Sequence, residues 1–223
     1  ESVAVDLATF FEAADEVSGD YYDYFELPGG KLGIIMADVS GHGASSALVM
    51  TMSKGVLHAT IARYESPAQV ITELNQTLCR LLPAEMFVTM VFLEYDPATS
   101  TLSYANAGHN PLVWHKAASD ETVLEHQPGP AVGILGSAQY KAKEFTLKPG
   151  DVMVTYTDGL TEAFNADREM FSDERLIAAV AEGQSGGASS IVQTIRDRLK
   201  EFTKDYPQSD DIAIIALRVN ETP

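Results

Sequence analysis

Apolar and polar residues alternate with a period of two over several stretches of the 223-residue chain. Val3 to Leu7, the aromatic Tyr22 to Leu27 and Leu32 to Val39 read as strands, and the turn Leu27-Pro28-Gly29-Gly30 joins the last two into a hairpin. After Gly43 the period lengthens: Ala47, Leu48, Met52, Val56, Ala59 and Ile61 fit one face of a helix through Arg63. A second helix is predicted from Ser66 as N-cap and Pro67 at the first helical position, with Val70, Leu74, Leu78 and Leu81 as its apolar stripe. The period of two returns in Met86–Tyr95, Thr101–Ala105, Leu112–His115, Tyr140–Leu147 and Val152–Thr155, separated by turn sequences such as Asp96-Pro97 and Pro149-Gly150. Two further helices, one capped by Ser172 and one carrying Ile191, Ile195, Leu199 and Phe202, precede a closing strand, Ile212–Val219. Strands in blocks, helices in pairs and short turns predict an α+β fold with antiparallel sheets and helix pairs packed outside them.

No repeat and no Pro/Gly/Ser linker divides the chain, so residues 1–223 are read as one domain. Its apolar runs fall short of the roughly 18 to 20 residues that span a bilayer, and no membrane segment is expected. The chain opens on Glu1 without a basic and then apolar leader, which reads as a piece cut from a longer protein. With 15 Lys and Arg against 32 Asp and Glu the net charge is −17, which sets it against nucleic acid as a partner. The lone Cys79 lies between Leu78 and Leu81, cannot form an internal disulfide, and reads as core in a reducing, cytoplasmic setting.

The acidic residues change the picture. Asp38 ends the apolar run Gly33-Ile34-Ile35-Met36-Ala37; Asp158 ends another; Asp210 and Asp211 stand just before the closing strand, and Asp20 and Asp23 just before an early one. An Asp beside Gly or at a strand end is ordinarily a turn residue. Several at the strand ends of one core are different, because carboxylates about 4 Å apart repel by roughly 4 kcal/mol at an effective dielectric near 20. No Lys or Arg lies within five residues of Asp20, Asp23, Asp38 or Asp158. Oxygen-only ligands of this kind suit Mg²⁺ or Mn²⁺ better than zinc, and such ions activate water for the hydrolysis of a phosphate ester.

The segments VSGDYYDYF, ADVSGHGASSA, SYANAGHNPLV, VGI, VTYTDGLTEA and SDDIAIIAL follow one another in an order that resembles the SpoIIE/RsbU-type branch of the bacterial metal-dependent, type 2C (PPM) serine/threonine protein phosphatases. The resemblance covers nearly the whole chain. It implies an α-β-β-α sandwich with two Mg²⁺ or Mn²⁺ ions, and a possible third, at one edge of the sheets. It implies that Asp38 bridges the ions, that Val39 lends a backbone carbonyl, and that Asp20, Asp158 and one of Asp210 and Asp211 are further ligands. Of that pair Asp210 matches the family position, and Asp23 would support Asp20 from behind. The implied substrate is phosphoserine or phosphothreonine on a STAS-type anti-sigma-factor antagonist in a partner-switching pathway, with a sensor segment upstream of the domain. The chain departs from the pattern at His42, where the branch commonly has Lys, and at Ala213, where it has Thr. The Arg that eukaryotic relatives carry shortly before the first acidic motif has no counterpart in FFEAADEVSGD.

Other readings of the same residues are weaker. The glycine-rich loop before the first helix lacks the Lys of a P-loop, and GASSA replaces the second glycine of a nucleophile elbow by Ala47. His42 is either a general acid for the leaving alkoxide or an ordinary loop residue, and His109 is expected to shape a turn. The rival from another class is a phosphatase-like module that binds a protein partner without turnover.

Overall fold

The structure is a computed structural model that describes residues 4–204 and 206–220; Val3, placed in the first strand by its sequence pattern, lies outside the described residues. In chain order the strands are β1 (Val5–Glu12), β2 (Asp20–Leu27), β3 (Lys31–Val39), β4 (Val88–Asp96), β5 (Thr101–Ala107), β6 (Leu112–Lys116), β7 (Glu121–Glu125), β8 (Ala142–Thr146), β9 (Val152–Tyr156) and β10 (Ile212–Val219). The helices are α1 (Ala44–Ile61), α2 (Pro67–Leu78), α3 (Asp158–Thr161), α4 (Ser172–Gly183) and α5 (Ala188–Thr203). Contacts divide them into two compact units, and neither is continuous in sequence. No helix among the described residues is long and apolar enough to cross a membrane.

The first unit, residues 15–109 and 127–146, holds the antiparallel sheet β2-β3-β4-β5-β8 with α1 and α2. Ile35, Ala37 and Val39 of β3 pack with Met50 and Leu57 of α1 and with Val70, Ile71 and Leu74 of α2. Each such aliphatic side chain removed from water contributes about 1.5–3 kcal/mol. Side chains alternate along a strand, so Ile34, Met36 and Asp38 point to the face turned away from these helices. Ile34 and Met36 are buried there too. Burial on both faces is why β3 reads as an unbroken apolar run that ends in one acid.

The face that α1 buries is not the one its apolar residues mark. Leu48 is 73% exposed, whereas Ser46, Ser53 and Thr60 are buried beside Val49, Met50 and Leu57. Their hydroxyls donate to the carbonyls of Gly43, Val49 and Val56, one turn back, so each satisfies itself within the helix and meets the sheet as a small apolar group. In α2 the expected cap is present: the Ser66 side chain accepts from the Gln69 N–H, and Pro67 opens the helix.

The second unit contains the sheet β1-β10-β9-β6-β7 with α3, α4 and α5. β10 pairs with β1 from Val5 opposite Val219 to Glu12 opposite Ile212. Val152, Val154, Tyr156, Ile212 and Ile214 form one core with Leu176 and Val180 of α4 and Ile191, Ile195 and Leu199 of α5. Two expectations are corrected here, and one unpredicted strand is added. Ser172 does not cap α4; it is the first residue of the helix, at φ 69°, and no side chain caps that end. The polar segment Glu121–Glu125 is a strand, paired with β6, because only its backbone need fit the sheet edge. Asp158 does not end β9, which stops at Tyr156, but opens the single turn α3.

Candidate metal centre

In the first unit the hairpin register sets Asp20 of β2 directly opposite Asp38 of β3, and Asp38 opposite Thr89 of β4. Residues opposite one another in an antiparallel pair share a face, with Cβ atoms about 4.5–5.5 Å apart. The two carboxylates are therefore neighbours on the face away from α1 and α2. Asp20 is buried and Asp38 partly so. The start of β2 is fixed by the Asp20 N–H donating to Ser18 Oγ (3.0 Å) and the Val39 N–H donating to the Gly19 carbonyl (3.3 Å). A Cβ at Gly19 would lie 3.1 Å from Ser46 Cβ, so this glycine lets α1 close on the hairpin.

Asp23 lies three residues beyond Asp20 within the same strand, hence on the opposite face. Its carboxylate accepts from the Tyr21 hydroxyl (2.6 Å) and stands 3.6 Å from His58 Nε2 on α1. Burial, followed by that carboxylate, holds the Tyr21 phenol above its usual range. Beyond Val39, the Ser40 N–H donates to the Phe87 carbonyl and Ser40 Oγ accepts from the Phe87 N–H. The chain then turns through Gly41 (φ 87°) and Gly43 (φ 79°), left-handed conformations that glycine adopts without strain. His42 sits exposed between them, just before α1. His109 is buried at the turn after β5: its Nδ1 bonds Thr89 Oγ1 (2.8 Å) and its backbone closes on Asn106, as expected of a turn residue.

The second unit carries the other acids. Asp158 at the start of α3 is partly buried, and its carboxyl holds its proton more tightly than usual. Burial is the larger cause and the Asp210 carboxylate the second, opposed by its own N–H and that of Gly159. No cation pairs with Asp158 among the described residues. Glu162, one turn on, is shifted the same way by partial desolvation, Asp158 and Asp210. Asp211 differs from Asp210: it is buried, and its Oδ1 accepts the Ala14 N–H at 2.8 Å. Asp210 is exposed and accepts the Asp211 N–H. Thr157 ties the two segments together, its N–H donating to the Ala213 carbonyl and its Oγ1 accepting from the Ala213 N–H (2.9 Å).

Gly159 permits this approach. A Cβ there would collide with the Asp211 carbonyl oxygen and lie 3.0 Å from its carbon and 3.2 Å from Asp210 Cβ. The Asp-Gly dipeptide is thus a point of close backbone contact, not a turn at positive φ. Glu162 and Gly159 were not singled out in the sequence; the spacing of Glu162, four residues after Asp158 on a helical turn, was the available signal.

Among the described residues no three carboxylate, imidazole or thiol side chains converge closely enough to hold an ion by themselves. The acids come as pairs, Asp20 with Asp38 in one unit and Asp158 with Asp210 in the other. Their donor atoms are all oxygen, and the mutual repulsion at Asp158 is what a bound hard cation would relieve, so the residues present fit Mg²⁺ or Mn²⁺.

The family model for Stage II sporulation protein E (SpoIIE) matches residues 28–220. The chain belongs to the SpoIIE family. Phosphoserine phosphatase RsbU of Bacillus subtilis (strain 168), a curated relative of this SpoIIE chain, is 29% identical over 215 residues, 96% of this chain and 63% of its own. The chain thus spans less than two thirds of that relative. Among solved structures, the SiaA PP2C domain of Pseudomonas aeruginosa superposes with a TM-score of 0.85 at 23% identity, covering 96% of this chain and 86% of that one. RsbX in complex with magnesium gives a TM-score of 0.74 at 17% identity over 99% of this chain and 98% of its own. These likenesses place the SpoIIE chain in the PP2C fold, with the two antiparallel sheets and flanking helices that its sequence pattern predicts.

Proposed function

We propose that the chain hydrolyses phosphoserine or phosphothreonine on a protein substrate. The observation that carries this reading is Asp158 beside Asp210, two acids whose mutual repulsion a divalent cation would relieve. Family membership and the name of the relative RsbU, a phosphoserine phosphatase, support it.

In this reading Asp38, at the end of a strand buried on both faces, holds one carboxylate in a fixed place for two divalent ions. The Val39 carbonyl and the carboxylates of Asp20, Asp158 and Asp210 would be further ligands. Asp211 is left to position the segment, since its carboxylate already accepts the Ala14 amide. Bound there, Mg²⁺ or Mn²⁺ would supply an acidified water and positive charge for the phosphoryl oxygens. The chain's own residues hold that charge in place and accept the substrate from solvent. His42, exposed on the glycine loop, would protonate the departing alkoxide. The substrate we favour is a phosphorylated STAS-type antagonist in a partner-switching pathway.

The test is phosphate release from a phosphorylated antagonist with Mn²⁺ and with EDTA. Release that requires the metal is expected. Full turnover after chelation overturns the metal assignment, and binding of the antagonist with no release under any metal makes the chain a protein-binding module.

A further inference from the structure

We propose that the Thr157 hydroxyl is a positioning group for the metal centre: by standing in for its own carbonyl between β9 and β10, it sets Asp158 beside Asp210. That role rests on the reading of the two acids as metal ligands; the hydrogen bonds behind it do not. The register sets Tyr156 opposite Ile214, and so Thr157 opposite Ala213. Two residues that face each other in a hydrogen-bonded antiparallel pair ordinarily exchange both backbone bonds. Here the Thr157 N–H donates to the Ala213 carbonyl (3.1 Å), whereas the Ala213 N–H donates to Thr157 Oγ1 (2.9 Å). The Thr157 carbonyl is thereby released and accepts the Leu160 N–H (3.1 Å), which closes the first turn of α3. Thr157 is fully buried, so this exchange lets the chain leave the sheet just before Asp158 without stranding the Ala213 amide.

Two further contacts tie the exchange to the acids. The Thr157 hydroxyl donates a long bond of 3.5 Å to the Asp211 carbonyl, in the segment that carries Asp210. The Asp158 carboxylate accepts its own N–H and that of Gly159, so its direction follows from where the turn begins. Valine has the shape of threonine but neither accepts nor donates, whereas serine does both and lacks only the methyl group. In Thr157→Val the Ala213 N–H is left unpaired or draws the Thr157 carbonyl back into the ladder. The second course extends β9 by a residue, breaks the bond to Leu160 and carries Asp158 away from Asp210.

The test is Mn²⁺ binding by isothermal titration calorimetry on the parent, Thr157→Val and Thr157→Ser, with Tm and amide hydrogen exchange measured on the metal-free proteins. Thr157→Val should bind Mn²⁺ roughly tenfold more weakly, at the lower end of the 10- to 100-fold range for groups that orient metal ligands. Thr157→Ser should keep the parent's Kd, although the loss of a buried methyl group lowers its Tm. A role in stability alone would lower Tm in both variants and leave both Kd values in place, so the contrast between them separates positioning from packing. In metal-free Thr157→Val the Ala213 and Leu160 amides should exchange faster than in the parent, which reads the bond exchange without any ion. Thr157→Ala removes the same hydroxyl and should weaken binding likewise, which keeps the comparison available where valine does not fold. A parent that binds Mn²⁺, with an equal Kd in a folded variant lacking the hydroxyl, overturns the proposal and leaves the metal reading standing. Serine weakening the binding as much as valine also overturns it. A parent that binds no Mn²⁺ overturns the metal reading, and the role of Thr157 with it.

Discussion

Gly159→Ala adds one methyl group where α3 meets the segment before β10. Its Cβ would overlap the Asp211 carbonyl oxygen and lie 3.0 Å from the carbonyl carbon and 3.2 Å from Asp210 Cβ, so the obstacle is backbone and not the mobile end of a side chain. Relief requires a displacement on the order of 1 Å in a packed interior, and overpacking of this kind costs about 1–3 kcal/mol. For a chain of this size each kcal/mol moves Tm by about 2–4 °C, so a fall of roughly 2–12 °C is expected without metal. The same displacement parts Asp158 from Asp210, so the rise in Tm on adding Mn²⁺ should shrink as well. Thermal unfolding with and without Mn²⁺ reads both. Gly55→Ala is the control: nothing lies within 4 Å of its added Cβ on α1, and the change should be neutral or stabilise by about 0.5–1 kcal/mol. A Gly159→Ala protein with the parent's Tm and the parent's response to Mn²⁺ refutes the close-approach reasoning.

Asp211→Ala should lower the metal-free Tm, because it leaves the Ala14 N–H without its acceptor at a cost of about 1–3 kcal/mol, whereas Asp210→Ala should change that Tm little and abolish the Mn²⁺ response; the reverse pattern would exchange their roles. His42→Ala should slow release from a phosphoserine peptide far more than from p-nitrophenyl phosphate, whose leaving group needs little protonation, and equal losses on both would make it a loop residue. Burial, with hydrogen-bonded carboxylates, holds the Tyr21 and Tyr64 phenols above their usual range, and burial pushes Tyr140 up to about 12. These folded-state values exceed the unfolded value near 10, so their contribution is intact below pH about 10 and is lost as pH rises through the folded values; denaturant titrations from about pH 9 to about pH 11 should show that fall, and a flat profile contradicts it.

The sequence made the hairpin of β2 and β3 legible because a strand buried on both faces must be apolar throughout, and a carboxylate at its end then stands out. α2 was legible from Ser66 and Pro67, whose capping chemistry is local. The buried face of α1 was not, because Ser46, Ser53 and Thr60 satisfy their own hydroxyls and pass for apolar only once the helix exists. β7 is polar and held by backbone pairing at a sheet edge, which leaves little pattern in side chains. The pairing of β1 with β10 joins opposite ends of the chain, and no local period encodes it. At the candidate site, the acids were visible as residue types in the wrong company. The partition of Asp210 and Asp211 into an exposed and a bonded carboxylate depends on Ala14, nearly two hundred residues away, and no local signal could supply it.

Asp38→Asn tests the central claim most directly. An amide cannot bridge two cations as a carboxylate does, and its introduction removes charge from beside Asp20. Phosphate release from a phosphoserine peptide in Mn²⁺ should be abolished while the metal-free Tm equals or exceeds that of the parent. A variant that unfolds at lower temperature without metal and still releases phosphate at the parent's rate would make Asp38 a structural residue and place the chemistry elsewhere.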